Sequence, residues 1–287
     1  MTQPSTSDLL FALPQYALPH HPLSRLMHHL TRCEQPRVKD YLIRKFIDLY
    51  EVDMSEAENA DPASYPSFNA FFTRALKGDA RPMASNPGAI VCPADGAVSQ
   101  VGRLDGDRMI QAKGSDFSVE SLLGGDPERA AQFQDGAFAT IYLSPRDYHR
   151  LHMPVTGKLR QMIHIPGRLF SVNAATTRAV PNLFARNERV AAIFHTDFGP
   201  MALILVGAIF VASIETVWHG VVTPPTVPDP SLWDYSHEDI VLAQGAEMGR
   251  FNMGSTIIVL FGQDAVRWND QLQEGSKVKV GQLIGLK

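Results

Sequence analysis

A change of texture at Arg81-Pro82 constrains the fold of this chain more than any other feature. Before it, apolar residues recur at helical spacing. Leu23, Leu26, Met27 and Leu30 fall at i, i+3, i+4 and i+7, and Val38, Tyr41, Leu42, Phe46, Leu49 and Tyr50 line one side of a second segment. A third helix is predicted after Ser67, whose side chain suits an N-cap, with Phe68, Phe71, Phe72, Ala75 and Leu76 as its aromatic stripe. Beyond Pro82 the apolar residues come in short runs broken by Gly and Pro. The runs are Ala89 to Cys92, Ala97 to Val101, Ala137 to Leu143, Val190 to Phe194, Met201 to Val217 and Thr256 to Phe261. The expected architecture is therefore α+β: an N-terminal helical arm over residues 1–84, then a β-rich catalytic body of barrel or sandwich type over residues 85–287.

Composition closes off several classes. With 287 residues, 45% of them hydrophobic, the chain can bury a sizeable core. Its net charge of −4 does not suit a general nucleic-acid binder. Two cysteines, Cys33 and Cys92, are too few for a disulfide scaffold and too far apart for a metal knuckle. The longest apolar run, Met201 to Ala212, is twelve residues, whereas a spanning helix needs roughly 20. The first residues lack the basic stretch of a secretory signal, so a cytosolic protein is expected, one that can still touch a membrane surface. Between His20 and Tyr50 six basic residues (Arg25, Arg32, Arg37, Lys39, Arg44, Lys45) face three acidic ones. Two readings of these helices stand: amphipathic segments lying on anionic lipid, or helices packed on the core with solvated outer faces.

Three constellations could carry chemistry. Cys92-Pro93-Ala94-Asp95-Gly96 follows a predicted strand and by itself reads as a turn. The segment from Ser144 to Pro154 holds His149 and His152 beside Asp147, Arg146 and Arg150. No companion Cys or third His stands at ligand spacing, so no metal is expected there, and an acid/base pair is the more natural reading. Gly254-Ser255-Thr256 precedes the apolar run from Ile257 to Phe261. Ile257 stands where a nucleophile elbow would need glycine, which excludes that type of hydrolase.

Taken in order, these motifs resemble the bacterial, pyruvoyl-dependent phosphatidylserine decarboxylases. The resemblance runs through the 68–74 helix, Arg81-Pro82, Pro93-Ala94-Asp95-Gly96, Tyr148 to Pro154, the 167–173 segment Gly-Arg-Leu-Phe-Ser-Val-Asn, and Gly249-Arg250-Phe251 leading to Gly254-Ser255-Thr256. Met253 stands where the family usually has Leu, a swap of similar volume at a packing site.

The resemblance implies a proenzyme that cuts itself between Gly254 and Ser255, into a large fragment, 1–254, and a small one, 255–287. Ser255 becomes a pyruvoyl group, the covalent cofactor, with Asp95 and His152 as the processing base. The cofactor then carries phosphatidylserine to phosphatidylethanolamine and CO2 through a Schiff base, an electron sink that a bare carbanion lacks. His149 is the candidate acid for the reacting carbon, with His152 as the alternative. The implied partners are membrane phosphatidylserine and the two fragments of one precursor, with a homodimer of the cut units compatible and nucleic acid absent. The implied place is peripheral, on the cytoplasmic face of the cell (inner) membrane. A fragment as short as 255–287 must stay bound, with Thr256 to Phe261 as a central strand. A different class remains open: a non-catalytic lipid-binding or carrier-type β-barrel module, suggested by Pro93 to Val98 and by Val278 to Gly285.

Overall fold

The computed structural model describes residues 4–112, 115–209, 213–224, 230–253 and 255–287. Three helices and a short fourth precede the sheets: α1 (Thr6–Ala12), α2 (His20–Thr31), α3 (Pro36–Tyr50) and α4 (Phe68–Phe72). Each start has a local cause. Ser5 caps α1 by accepting the Asp8 N–H while the Asp8 carboxylate accepts the Ser5 N–H. Pro36 opens α3 behind a Gln35 cap, and Ser67 caps α4 through the Ala70 N–H.

The body is built on a nine-stranded sheet, its paired strands all antiparallel. Its order is Ser231–Asp234, Gly157–Ile165, Arg189–Thr196, Gly199–Val206, Ser255–Phe261, Ala137–Leu143, Gly96–Arg103 and Lys277–Val278, with Val241–Leu242 also on 157–165. The sheet stays open at both ends, so the body is sandwich-like and not a closed barrel. The 255–261 strand runs between 137–143 and 199–206, the central position expected of it.

The central strands read as unbroken apolar runs because both faces of the sheet are covered. Ile257, Val259 and Phe261 enter one core with Ile141 and Leu205, while Ile258 and Leu260 enter the other with Phe138 and Ile204. A third cluster joins Ile43 of α3 to Phe68, Phe71 and Phe72 of α4, and Met253 packs against it.

Three expectations need correction. The run from Met201 to Val217 is two strands, Gly199–Val206 and Ile214–Thr216, in different sheets, and residues 210–212 lie outside the described residues. The motifs Pro93 to Val98 and Val278 to Gly285 do not form a separate carrier-type barrel module. Lys277–Val278 joins the large sheet, whereas Leu283–Leu286 pairs with Ala89–Val91 and Arg267–Trp268 in another. The aromatic stripe after Ser67 is helical only as far as Phe72.

The first stretch of the arm, up to Tyr50, is largely inside out, unlike α4 behind it. Its buried positions are largely polar: Asp8 and Gln15, then His20, Ser24 and Thr31 of α2, and Lys39 of α3 beside Ile43. Its apolar side chains face water. Leu10 is 70% exposed, Leu26 63%, Tyr41 62% and Leu49 73%. Among the described residues, twelve of the nineteen large exposed apolar side chains lie between Leu9 and Tyr50. The reading in which these helices pack their apolar faces on the core holds for Leu42, Ile43 and Phe46 of α3, but not for Leu26, Leu30, Tyr41 and Leu49, which stand exposed. No helix among the described residues is long and apolar enough to cross a membrane.

Candidate functional site

Asp95 lies in the bend between the Ala89–Val91 and Gly96–Arg103 strands. Gly96 does not serve it through positive φ, as an Asp-Gly turn would suggest. A Cβ at Gly96 would sit 2.3 Å from the Tyr142 carbonyl oxygen, so glycine is required for the close approach of two strands. Asp95 is buried, and both its oxygens are occupied. Arg81 Nε donates to them at 2.9 and 3.0 Å, Arg81 Nη2 donates as well, and the Val280 N–H donates at 2.8 Å. Arg81 also donates to Glu56 at 2.6 Å, and Glu56 accepts from Lys279. Burial works against the Arg81 charge, but its bonds to Asp95 and Glu56 hold it firmly protonated. Arg81 in turn pulls the Glu56 carboxyl down to about 2.

His152 belongs to the short strand Arg150–His152, which pairs with Glu247–Phe251. Its Nδ1 lies 2.8 Å from the Gly245 carbonyl, which can only accept, so Nδ1 carries the proton. Nε2 then accepts from the Tyr148 hydroxyl at 3.1 Å. Burial lowers the His152 pKa, while burial pushes Tyr148 up to about 12. The His–carboxylate pair expected of Asp95 and His152 is not made, since no hydrogen bond joins them.

His149 is fully buried, and its ring packs 4.1 Å from that of Phe72. Nδ1 donates to the Asp147 carbonyl at 2.7 Å, and Nε2 has no partner among the described residues. Burial pushes its pKa down to about 3, so the ring is neutral with a bare acceptor nitrogen. Asp147 fixes the approach by accepting from the N–H and hydroxyl of Ser144, each at 2.7 Å. The His149 carbonyl accepts from the Phe251 N–H at 3.0 Å, which places it beside the end of the strand that leads to Asn252 and Met253. His152 faces Glu247, further back along the same strand.

Gly254 and the Ser255 side chain lie outside the described residues. Their surroundings are well defined. Asn252 is fully buried and pinned by Asn69 and by both the hydroxyl and the carbonyl of Ser213. Met253, held next to it, has φ +116°, a sparsely populated conformation for a residue with a Cβ. The Ser255 backbone pairs with Leu143. A pocket of about 280 Å³ opens here, lined by Leu143 and Met253 on one side, Tyr50 of α3 on another, and Ser171, Val172 and Asn173 on a third.

Sequence reasoning had assigned no role to Arg81, Tyr148, Phe72 or Gln15. The first three fall within segments that carry the family resemblance, but nothing local tells which side chain each will touch. For a carbonyl group formed from residue 255, the arrangement fits. It would stand at the start of a central strand, two residues after Met253 at φ +116° and four after Phe251, whose N–H bonds the His149 carbonyl.

A family model described as phosphatidylserine decarboxylase matches residues 68–286, and a second, described as PSD, matches residues 10–51. The phosphatidylserine decarboxylase proenzyme of Bordetella pertussis is 57% identical over 281 residues, covering 97% of this chain and 95% of that protein. That of Azotobacter vinelandii is 57% identical over 281 residues (97% and 98%), and that of Methylococcus capsulatus 56% over 276 residues (96% of each).

Proposed function

The chain belongs to the phosphatidylserine decarboxylase family, and on that premise we propose that it is a self-processing enzyme converting phosphatidylserine to phosphatidylethanolamine and CO2. The observation that carries the reading is the pocket. It joins the segment around residue 255 to the arm whose apolar side chains point outward. A lipid whose head group reacts while its tails stay in a bilayer needs that geometry, because extracting the tails would cost about 0.8 kcal/mol per CH2.

Processing begins when Ser255 Oγ, its proton passing to His152, attacks the Gly254 carbonyl and turns the amide into an ester. Elimination ends the large fragment, 1–254, in the Gly254 carboxylate. The dehydroalanine left at 255 loses ammonia to water and becomes pyruvoyl at the head of the small fragment, 255–287. Met253 is held at φ +116°, a sparsely populated conformation, next to the glycine whose carbonyl is attacked. The Tyr148 hydroxyl occupies His152 Nε2, so the Ser255 proton reaches that nitrogen by way of Tyr148, which gives its own proton to Nε2 as it takes the one from Ser255. Asp95 acts through position. It ties Arg81 to the Val280 backbone, and so clamps the small fragment to the large one on both sides of the cut.

The pyruvoyl carbonyl, once formed, supplies the sink for the electron pair that remains when CO2 leaves. The chain's residues manage the protons. His149 is the acid that returns a proton to the carbon that has lost CO2; burial keeps its ring neutral in the free protein, so the anionic substrate has to offset that burial for Nε2 to carry the proton. The arm, residues 1–84, rests on the cytoplasmic face of the cell membrane, and the body, 85–287, carries the reaction. The carrier-module alternative gains no support: Lys277–Val278 and Leu283–Leu286 pair in different sheets and form no hairpin with each other.

His149→Ala tests the chemistry. It should still be cut, and its release of CO2 from phosphatidylserine vesicles should fall by about two orders of magnitude or more. Turnover at the parental rate in a fully cut His149→Ala protein would remove His149 from the mechanism.

A further inference from the structure

Five consecutive residues, 167–171, that lead into one wall of the pocket are each touched by the arm. His21 Nε2 lies 2.9 Å from the Gly167 carbonyl. The Tyr16 carbonyl accepts from Arg168 at 2.7 Å, and the Tyr16 ring packs 4.8 Å from Phe170. His20 Nδ1 accepts the Leu169 N–H at 3.1 Å. Gln15, 6% exposed, makes a reciprocal pair with Ser171: its Oε1 accepts the Ser171 N–H at 2.8 Å and its Nε2 donates to Ser171 Oγ at 3.1 Å. Ser171 Oγ also meets Thr176 Oγ1 at 2.6 Å. Behind Ser171, Asp8 and Arg178 add an ion pair at 2.7 Å.

The 167–173 segment has no ladder of its own beyond a single bridge from Arg168 to Asn187. The body holds its first half, with Asn187 bonded to both the N–H and the carbonyl of Phe170. At Ser171, where the segment begins to line the pocket, the arm's Gln15 holds the backbone N–H while Thr176 of the body holds the hydroxyl, and Asn173 is tied to the helix that follows by capping it. This explains the inverted polarity of α1 and of the turn after it. Asp8 and Gln15 are inward because they have polar work to do on a loop, while Leu9, Leu10, Phe11 and Leu13 are left outward.

We infer that Gln15 is a positioning residue for the substrate pocket: the arm not only meets the membrane but shapes the wall formed by Ser171, Val172 and Asn173. The inference rests on the functional reading above. It predicts that arm and pocket are coupled even when no membrane is present, because the hydrogen bonds are internal.

The experiment uses the full chain and a water-soluble phosphatidylserine with six-carbon acyl chains, kept below its micelle concentration. Gln15→Ala should be cut like the parent and show KM raised about tenfold with kcat little changed, as expected of a wall that binds but does not react. Gln15→Glu retains the acceptor for the Ser171 N–H and should restore most of the affinity. If Gln15 acts through Ser171, adding Ser171→Ala to Gln15→Ala should cost no more than the worse single change. An unchanged KM in Gln15→Ala, or losses that multiply in the double variant, would overturn the inference. Loss of cutting in both Gln15 variants would overturn it too, by making the arm part of the folding core. A fully cut parent that cannot turn over either soluble or vesicle phosphatidylserine would sink the functional reading, and the inference with it.

Discussion

The arm and the body hide opposite kinds of residue. In the body, Ile257, Ile258, Val259, Leu260 and Phe261 follow one another in sequence and none is accessible, because a covered sheet buries both faces of a strand. In the arm, Asp8, Gln15, His20, Ser24 and Thr31 are buried while Leu10, Phe11, Leu13, Leu26 and Leu49 stand in water. Full burial of such a side chain is worth about 1.5–3 kcal/mol, so an arm of this kind forgoes a large gain unless another apolar phase covers it. The difference teaches that amphipathic spacing identifies a helix but not the direction its apolar side faces. That direction is set by what the polar side has to bond.

Substitution of matched leucines would break the comparison or sharpen it. Leu260→Ala in the central strand should cost about 2–5 kcal/mol in chemical denaturation, since a cavity opens in a tightly packed layer. Leu10→Ala in the arm should stay within about 0.5 kcal/mol of the parent in solution, yet bind lipid vesicles more weakly. Equal stability losses would mean that both regions bury apolar surface alike, and the inside-out description would fall.

The charges of the arm should matter less than its leucines. Lys39 is buried against Asp40 and the Ala63 carbonyl, and Arg32 donates to Ser213, so neither is a free surface cation. Arg25, Arg37 and Arg44 are exposed. Each basic residue near an anionic surface adds about 1 kcal/mol, and salt screens that part. Changing those three arginines to Gln should weaken co-sedimentation with anionic vesicles at low salt. The difference from the parent should shrink as salt rises, and self-cutting should be intact. Equal sedimentation of variant and parent at every salt concentration would show that these charges take no part.

Much of this was legible in the sequence, for identifiable reasons. Ala137–Leu143 was read to the residue because a strand buried on both faces leaves an unbroken apolar run. Ser67 announced α4 because a cap is a local interaction. The Gly157–Ile165 strand escaped, since Lys158, Arg160, Gln161 and His164 break its pattern and a bulge after Leu159 shifts its register. His164 is tolerated there through a buried bond to Glu188, a partner that periodicity cannot supply. The site was legible as residue types and not as contacts. Asp95 could be named, but its pairing with Arg81 and Val280 in place of His152 arises from chain crossings far apart in sequence. The bare Nε2 of His149 likewise depends on the burial contributed by Phe72 and on Asp147 engaging only the other nitrogen.

The central claim is that this body cuts itself at one peptide bond to make its own reactive group. Intact-mass measurement of the purified parent beside Ser255→Ala tests it most directly. The parent should give two chains that divide after Gly254, the smaller covering residues 255–287 and blocked to sequencing from its first residue. Ser255→Ala should give one chain of 31.6 kDa. A parent that stays whole at 31.6 kDa, or a Ser255→Ala protein that still divides, would contradict the account.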